Sequence, residues 1–255
     1  ITELHTVNKK YSMSVQEGAD ALADVRSGMT TLGARTQESA QELAAFIGPL
    51  TRLGIDGKTA TKNMDSLMNT LGQTQEEAKA TTHRMISLAQ ALGKAPKEMI
   101  AEFNAAMPQL AVHGKNAERV FKELATTAAA TGVEVSRLIG IAEGFDTFEA
   151  AGKKVGHLNA ILGGAFFNQM EMIQATDPEE RIRLLQEGFQ KTGKSFDELS
   201  YYQKKAIAEA GGFKNVEEAG RMLSRTTLQR AEASKKAQAA AAEEKAEQKK
   251  HEEQM

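Results

Sequence analysis

The chain has 255 residues, with 32 Lys and Arg against 34 Asp and Glu for a formal net charge of -2, so no excess of positive charge points to nucleic acid as the main partner. The absence of cysteine excludes disulfides, thiol catalysis and thiolate zinc sites. Aromatics make up 5%, Trp is absent and Pro numbers only four, so Ala, Glu, Lys, Gln, Met and Leu set a helical composition and the expected fold class is all-α.

Residues 1–47 hold a heptad register. With Ile1 at position a, the a positions are Ile1, Asn8, Val15, Leu22, Met29, Thr36 and Leu43, and the d positions are Leu4, Tyr11, Gly18, Val25, Leu32, Ser39 and Phe46. Apolar residues repeating at this period predict a coiled-coil helix. Its oligomer seam comprises Leu4, Asn8, Tyr11, Val15, Leu22, Val25, Met29, Leu32, Leu43 and Phe46. Asn8 and Thr36 are polar a positions of the kind that fix register and strand number at a cost in stability. The competing expectation is one long amphipathic helix on another subunit's surface. Gly48 and Pro49 are expected to end it, because proline removes a donor and clashes with the preceding turn.

Residues 53–224 read as a compact domain of short antiparallel helices. Glycines recur at 54, 72, 93, 114 and 132, every 18 or 21 residues, which fits a helix of about four turns followed by a tight link. Thr74 with Glu77, Ser195 with Glu198 and Asn215 with Glu218 have the spacing of reciprocal N-terminal caps. Asp177 before Pro178 predicts another start, with Glu179 and Glu180 complementing the helix dipole. Residues 225–255 are rich in Ala, Glu, Lys and Gln and predict an exposed charged helix continuing into a longer polypeptide.

No apolar run approaches the roughly 20 residues that span a bilayer, so no transmembrane segment is expected, and no secretory leader pattern opens the chain. His5, His83, His113, His157 and His251 have no metal-pair spacing. GxSxG, SxxK and GxxxxGK[ST] are absent. The paired glutamates at 76–77, 179–180 and 217–218 fall in first helical turns, where the dipole explains them. Residues 71–89 have the style of the first half of a helix-turn-helix, but the following segment lacks an Arg, Asn and Gln cluster for reading bases, so no sequence-specific nucleic acid is expected. No catalytic, cofactor or metal residue is assigned, and the chain is expected not to be an enzyme.

Residues 145–168, "FDTFEAAGKKVGHLNAILGGAFFN", place glycines beside Lys153, Lys154 and His157. A phosphate loop needs its glycines between a strand and a helix, whereas these lie inside and after a helix. Asp146 and Glu149 are expected to box its start. Gly152 and Gly156 are expected to admit a neighbouring helix, and Gly163 and Gly164 to stop it. Phe145, Phe148, Gly152, Gly156, Leu158, Leu162, Gly163 and Gly164 are the expected packing residues.

This stretch, with "ATDPEERI" at 175–182, "SFDELSYYQKKAIAEAGG" at 195–212 and "NVEEAGRMLS" at 215–224, resembles the helical region of tail tape measure proteins of long-tailed bacteriophages, contractile-tailed ones in particular. The resemblance covers residues 70–224, and the order of the blocks is more specific than any single one. It implies a multi-copy virion protein in the tail tube lumen or baseplate hub, assembled in the host cytoplasm. Its partners would be itself, with a trimer preferred, and tail tube and baseplate-hub or tail-tip proteins. Helical length would set tail length at about 1.5 Å per residue, so residues 1–47 would span about 70 Å. A cytoplasmic oligomeric scaffold or adaptor that binds partner helices is the alternative, and a cell-wall hydrolase the remote third.

Overall fold

A computed structural model describes residues 13–29 and 37–224, and every regular element in them is helical. The chain forms two compact units that divide between Glu118 and Arg119, inside the span expected to be one domain, and residues 13–50 belong to the first.

In the first unit, α1 (Val15–Gly28) starts at a reciprocal cap that the sequence reading did not mark. The Glu17 N–H donates to Ser14 Oγ at 3.1 Å, and the Ser14 N–H donates to Glu17 Oε2 at 2.7 Å. The helix ends at Met29, whose backbone is extended, and α2 (Gln37–Leu50) follows. The single helix expected over residues 1–47 is therefore corrected to separate helices in its described part. Gly18, Ala21 and Val25 form a buried stripe on α1, which packs on α2 and on α3 (Gly57–Asn69) of the same chain. A stripe three or four residues apart reads as a heptad seam over a short window, and the sequence does not say which helix covers it. Val25, Met29 and Leu43 are buried inside this unit. Leu22 is half-buried, Val15 is 56% exposed, and the half-buried Phe46 ring meets His83 edge-on at 5.3 Å. Leu4, Asn8, Tyr11, Leu32 and residues 225–255 lie outside the described residues.

Pro49 sits within α2, one residue before its end, and a 3-10 turn (Thr51–Leu53) carries the chain to Gly54. A proline in the last turn disrupts little of the ladder, so the stop falls later than expected. α4 (Gln75–Ala91) begins at the predicted Thr74 and Glu77 box, and α5 (Pro96–Leu110) packs on α3 and α4. Gly54, Gly72, Gly93, Gly114 and Gly132 all have φ between +52° and +78°, so each predicted glycine break has the positive φ that glycine allows. Met64, Leu67, Met85, Met99, Ile100 and Phe103 are fully buried, and burying such a side chain is worth about 1.5–3 kcal/mol. Arg84 of α4 forms a two-pronged bond to Glu118 (Nε to Oε1 2.5 Å, Nη2 to Oε2 2.8 Å), so this arginine of the helix-turn-helix-like stretch faces a carboxylate.

The second unit contains most of α6 (Ala117–Thr131), then α7 (Val135–Glu143), α8 (Phe148–Leu162), α9 (Gln169–Gln174), α10 (Pro178–Lys191), α11 (Tyr201–Gly211) and α12 (Val216–Leu223). α10 packs on α7, α11 on α8, and α12 on both α10 and α11. Leu138, Phe145, Leu158, Ile182, Phe189, Ile207 and Met222 supply its core. The Ser195 and Glu198 box opens only a 3-10 turn (Phe196–Glu198); the helix starts at Tyr201, capped by Ser200 with Gln203.

Asp56 caps α3 by accepting the Thr59 N–H at 2.9 Å, and pairs with Lys97 at 3.0 Å. The Thr59 backbone bond, with Lys97 and the Thr59 hydroxyl, outweighs partial desolvation and brings its carboxyl from 3.8 down to about 2. A lowered carboxylate stabilises the fold above its unfolded value and ceases to do so as pH falls through the folded one. Asp56→Ala should cost about 1 kcal/mol in urea unfolding at neutral pH. The difference from wild type should shrink as pH falls from 3.8 towards about 2 and vanish below it.

Candidate functional site

The glycine stretch is built around two side chains that hold helix ends. Asn159 of α8 accepts the N–H groups of Phe166 and Phe167 on Oδ1, both at 2.9 Å, and donates from Nδ2 to the Phe167 carbonyl at 2.9 Å. Its own carbonyl accepts from Gly163 at 2.9 Å and Gly164 at 3.1 Å. Gly163, at φ +80°, makes the left-handed stop. The amides that could form an anion nest after α8 are thereby engaged within the turn, which removes the phosphate-loop reading on geometry.

Arg181 of α10 is the second. Buried to 9% exposure, it donates from Nε to the carbonyls of Met172 (3.1 Å) and Ala175 (2.9 Å). Its Nη1 donates to the Ala142 carbonyl at 3.2 Å and meets the Asp146 carboxylate. It thus donates to the carbonyls of Met172 and Ala175 at the end of α9, and adds a second donor to the Ala142 carbonyl at the end of α7, which also accepts the Phe145 N–H at 3.0 Å. Asp146 is taken by this arginine, so Thr147 replaces it as the cap of α8, with the Ala150 N–H donating to its hydroxyl at 3.1 Å. In the same way Asp177 carries no cap bond and pairs with Arg119 at 2.5 Å. Asn215 does cap α12, but Glu218 turns to the Lys214 N–H and to Arg137.

The expected packing residues divide. Phe145, Leu158 and Leu162 are buried. Gly152 makes room for Gln169, whose amide donates to the Phe148 carbonyl at 2.8 Å, so a side chain rather than a helix backbone approaches there. Gly156 faces open space, and a Cβ on Gly164 would meet the Phe166 ring at 2.7 Å. Phe148 is 66% exposed, being the first residue of α8 on the side away from the core.

Between α8 and α11 lies a groove of about 480 Å³ lined by Ala150, Lys153, Lys154, His157, Ile161, Ala206, Glu209 and Ala210. The three polar residues that first suggested chemistry therefore share one surface depression. Burial, and then the nearby Arg137, lower the Lys154 ammonium below the ordinary lysine range. Arg137 itself is tied to the Gly212 carbonyl at 2.6 Å and to Glu218 at 3.2 Å. A helical wheel could have placed Lys153, Lys154 and His157 along one side, but only the fold supplies the α11 wall. Among the described residues no cluster of three or more His, Asp or Glu is arranged to hold a metal ion, and no described helix is long and apolar enough to cross a membrane.

No family model, characterised protein or solved structure matches this chain.

Asn159→Ala strands two backbone donors and should cost about 1–3 kcal/mol in chemical denaturation. Arg181→Met should cost a similar amount, about 1–3 kcal/mol, because it leaves the carbonyls of Met172 and Ala175 without this donor. Arg181→Lys should not restore stability, since an ammonium lacks the planar fork that reaches these acceptors together.

Proposed function

We propose that this chain is a non-enzymatic structural part of a bacteriophage tail: a segment of a multi-copy tape measure protein that sets tail length, templates tube assembly and anchors at the baseplate hub or tail tip. The observation that carries this reading is that the blocks of the family resemblance lie in one packed unit and are linked to one another. Asp146 of the first block meets Arg181 of the second, and the carbonyl of Gly212 in the third accepts from the same arginine, Arg137, that pairs with Glu218 in the fourth. Their order in the chain thus corresponds to a set of mutual contacts, which composition alone does not require. The backbone amides of the glycine stretch are engaged within its own turn by Asn159, which favours a built-in part.

Two packed units sit poorly with a plain ruler, so the described region is the anchoring module in this proposal. The ruler length would lie in other helical sequence of the same polypeptide. Copies would associate as a homo-oligomer, with a trimer preferred, through exposed heptad positions such as Val15.

Antibody raised against the chain and tagged with gold should label purified particles at one end of the tail in electron micrographs. In-frame deletions outside the two units should shorten tails by about 1.5 Å per residue removed. Label scattered along the tube would overturn the anchoring role. Recovery of the protein from infected cells as a soluble oligomer separate from particles would favour a cytoplasmic adaptor instead. A dimeric mass for the purified chain would exclude the trimer.

A further inference from the structure

The groove between α8 and α11 carries cations that the fold leaves without a counter-ion. Lys154 makes no hydrogen bond or ion pair among the described residues, although its ammonium is half-buried. The fold makes room for it deliberately in steric terms. A Cβ on Gly144 would collide with Nζ, one on Gly212 would stand 2.8 Å from it, and the Phe145 ring lies below it with its centroid at 4.8 Å. Lys153 and His157 are exposed on the same stretch of α8. Glu209, the one acidic residue of the lining, pairs with neither lysine among the described residues. Arg119, Arg137 and Arg181 of the same unit, by contrast, meet carboxylates.

The shape selects among anionic ligands. The α8 wall runs from Ala150 to Ile161, about 16 Å at 1.5 Å per residue, with Ala150, Ile161, Ala206 and Ala210 giving apolar surface along it. A free phosphate would fill only the ammonium end and leave that apolar length uncovered. No aromatic side chain lines the groove to stack a base. An amphipathic helix with carboxylates amid small apolar residues matches both properties, in the helix-in-groove manner. We propose that the α8–α11 groove is a docking site for an acidic helical segment of a partner protein, whose carboxylates bond to Lys154 and Lys153 with His157 as an additional donor. This assignment stands on the groove alone and does not depend on the tail reading.

A displayed library of random helical peptides, selected on the full chain, tests it. Sequences with Asp or Glu at helical spacing should be enriched, and exchanging those residues for Asn or Gln should weaken binding about tenfold or more. Lys154→Met should weaken the selected peptides by a similar factor while leaving the helical circular dichroism unchanged. Lys153→Glu, on an exposed side chain, provides the same test without touching the packed ammonium. On binding, the Lys154 ammonium followed by NMR should titrate at higher pH, because a carboxylate now faces it. Absence of acidic enrichment, or selected peptides indifferent to both variants, would overturn the proposal. So would selected peptides displaced by millimolar inorganic phosphate, since that would show a site for the anion alone.

Discussion

The second unit depends on a buried guanidinium. Helices as short as α7 and α9 leave a large fraction of their terminal carbonyls without intrahelical partners, and in a packed interior those groups cannot turn to water. Arg181 resolves this for α9 and ties it to α7, because its planar fork reaches the carbonyls of Met172 and Ala175 and also that of Ala142 while its charge meets Asp146. The burial of this cation is tolerable because Nε and Nη1 both find acceptors and the charge meets a carboxylate. The start of α8, the end of α9 and the seat of α10 on α7 follow from that one placement.

Where a local rule has no long-range competitor, the sequence was a good guide. The positive-φ glycines between helices and the Thr74 cap fall where turn chemistry and cap spacing put them. Asp146 and Asp177 also had the right local spacing to cap, yet both were claimed by arginines distant in sequence, Arg181 and Arg119. A charged partner outcompetes a backbone donor for a carboxylate, and Thr147 was available to take over for α8. The heptad stretch failed differently. Val25 and Leu43 are apolar for the reason expected, burial, but the surface that buries them lies in the same chain. Periodicity reports that a face is covered and is silent on the identity of the cover.

The glycine stretch shows how a pattern suggestive of catalysis can be architectural. Backbone amides in a phosphate cradle must point outward and lack internal acceptors. Here Asn159 takes two of them on its side chain, and its carbonyl takes two more. The glycines differ in purpose even within this one stretch. Gly163 supplies a backbone angle, Gly144 supplies space for an ammonium, and Gly156 has open space where a Cβ would stand. Lys154 was visible in the sequence as a polar residue, while its lack of a counter-ion among the described residues emerged only once its surroundings were in place.

The convergence on Arg181 also bears on how this unit would respond to mechanical load. Pulling on the chain ends cannot peel α9 away without breaking the bonds that hold the end of α7, since one side chain serves both. Under tension α7 and α9 would therefore release together, as parts of one foldon.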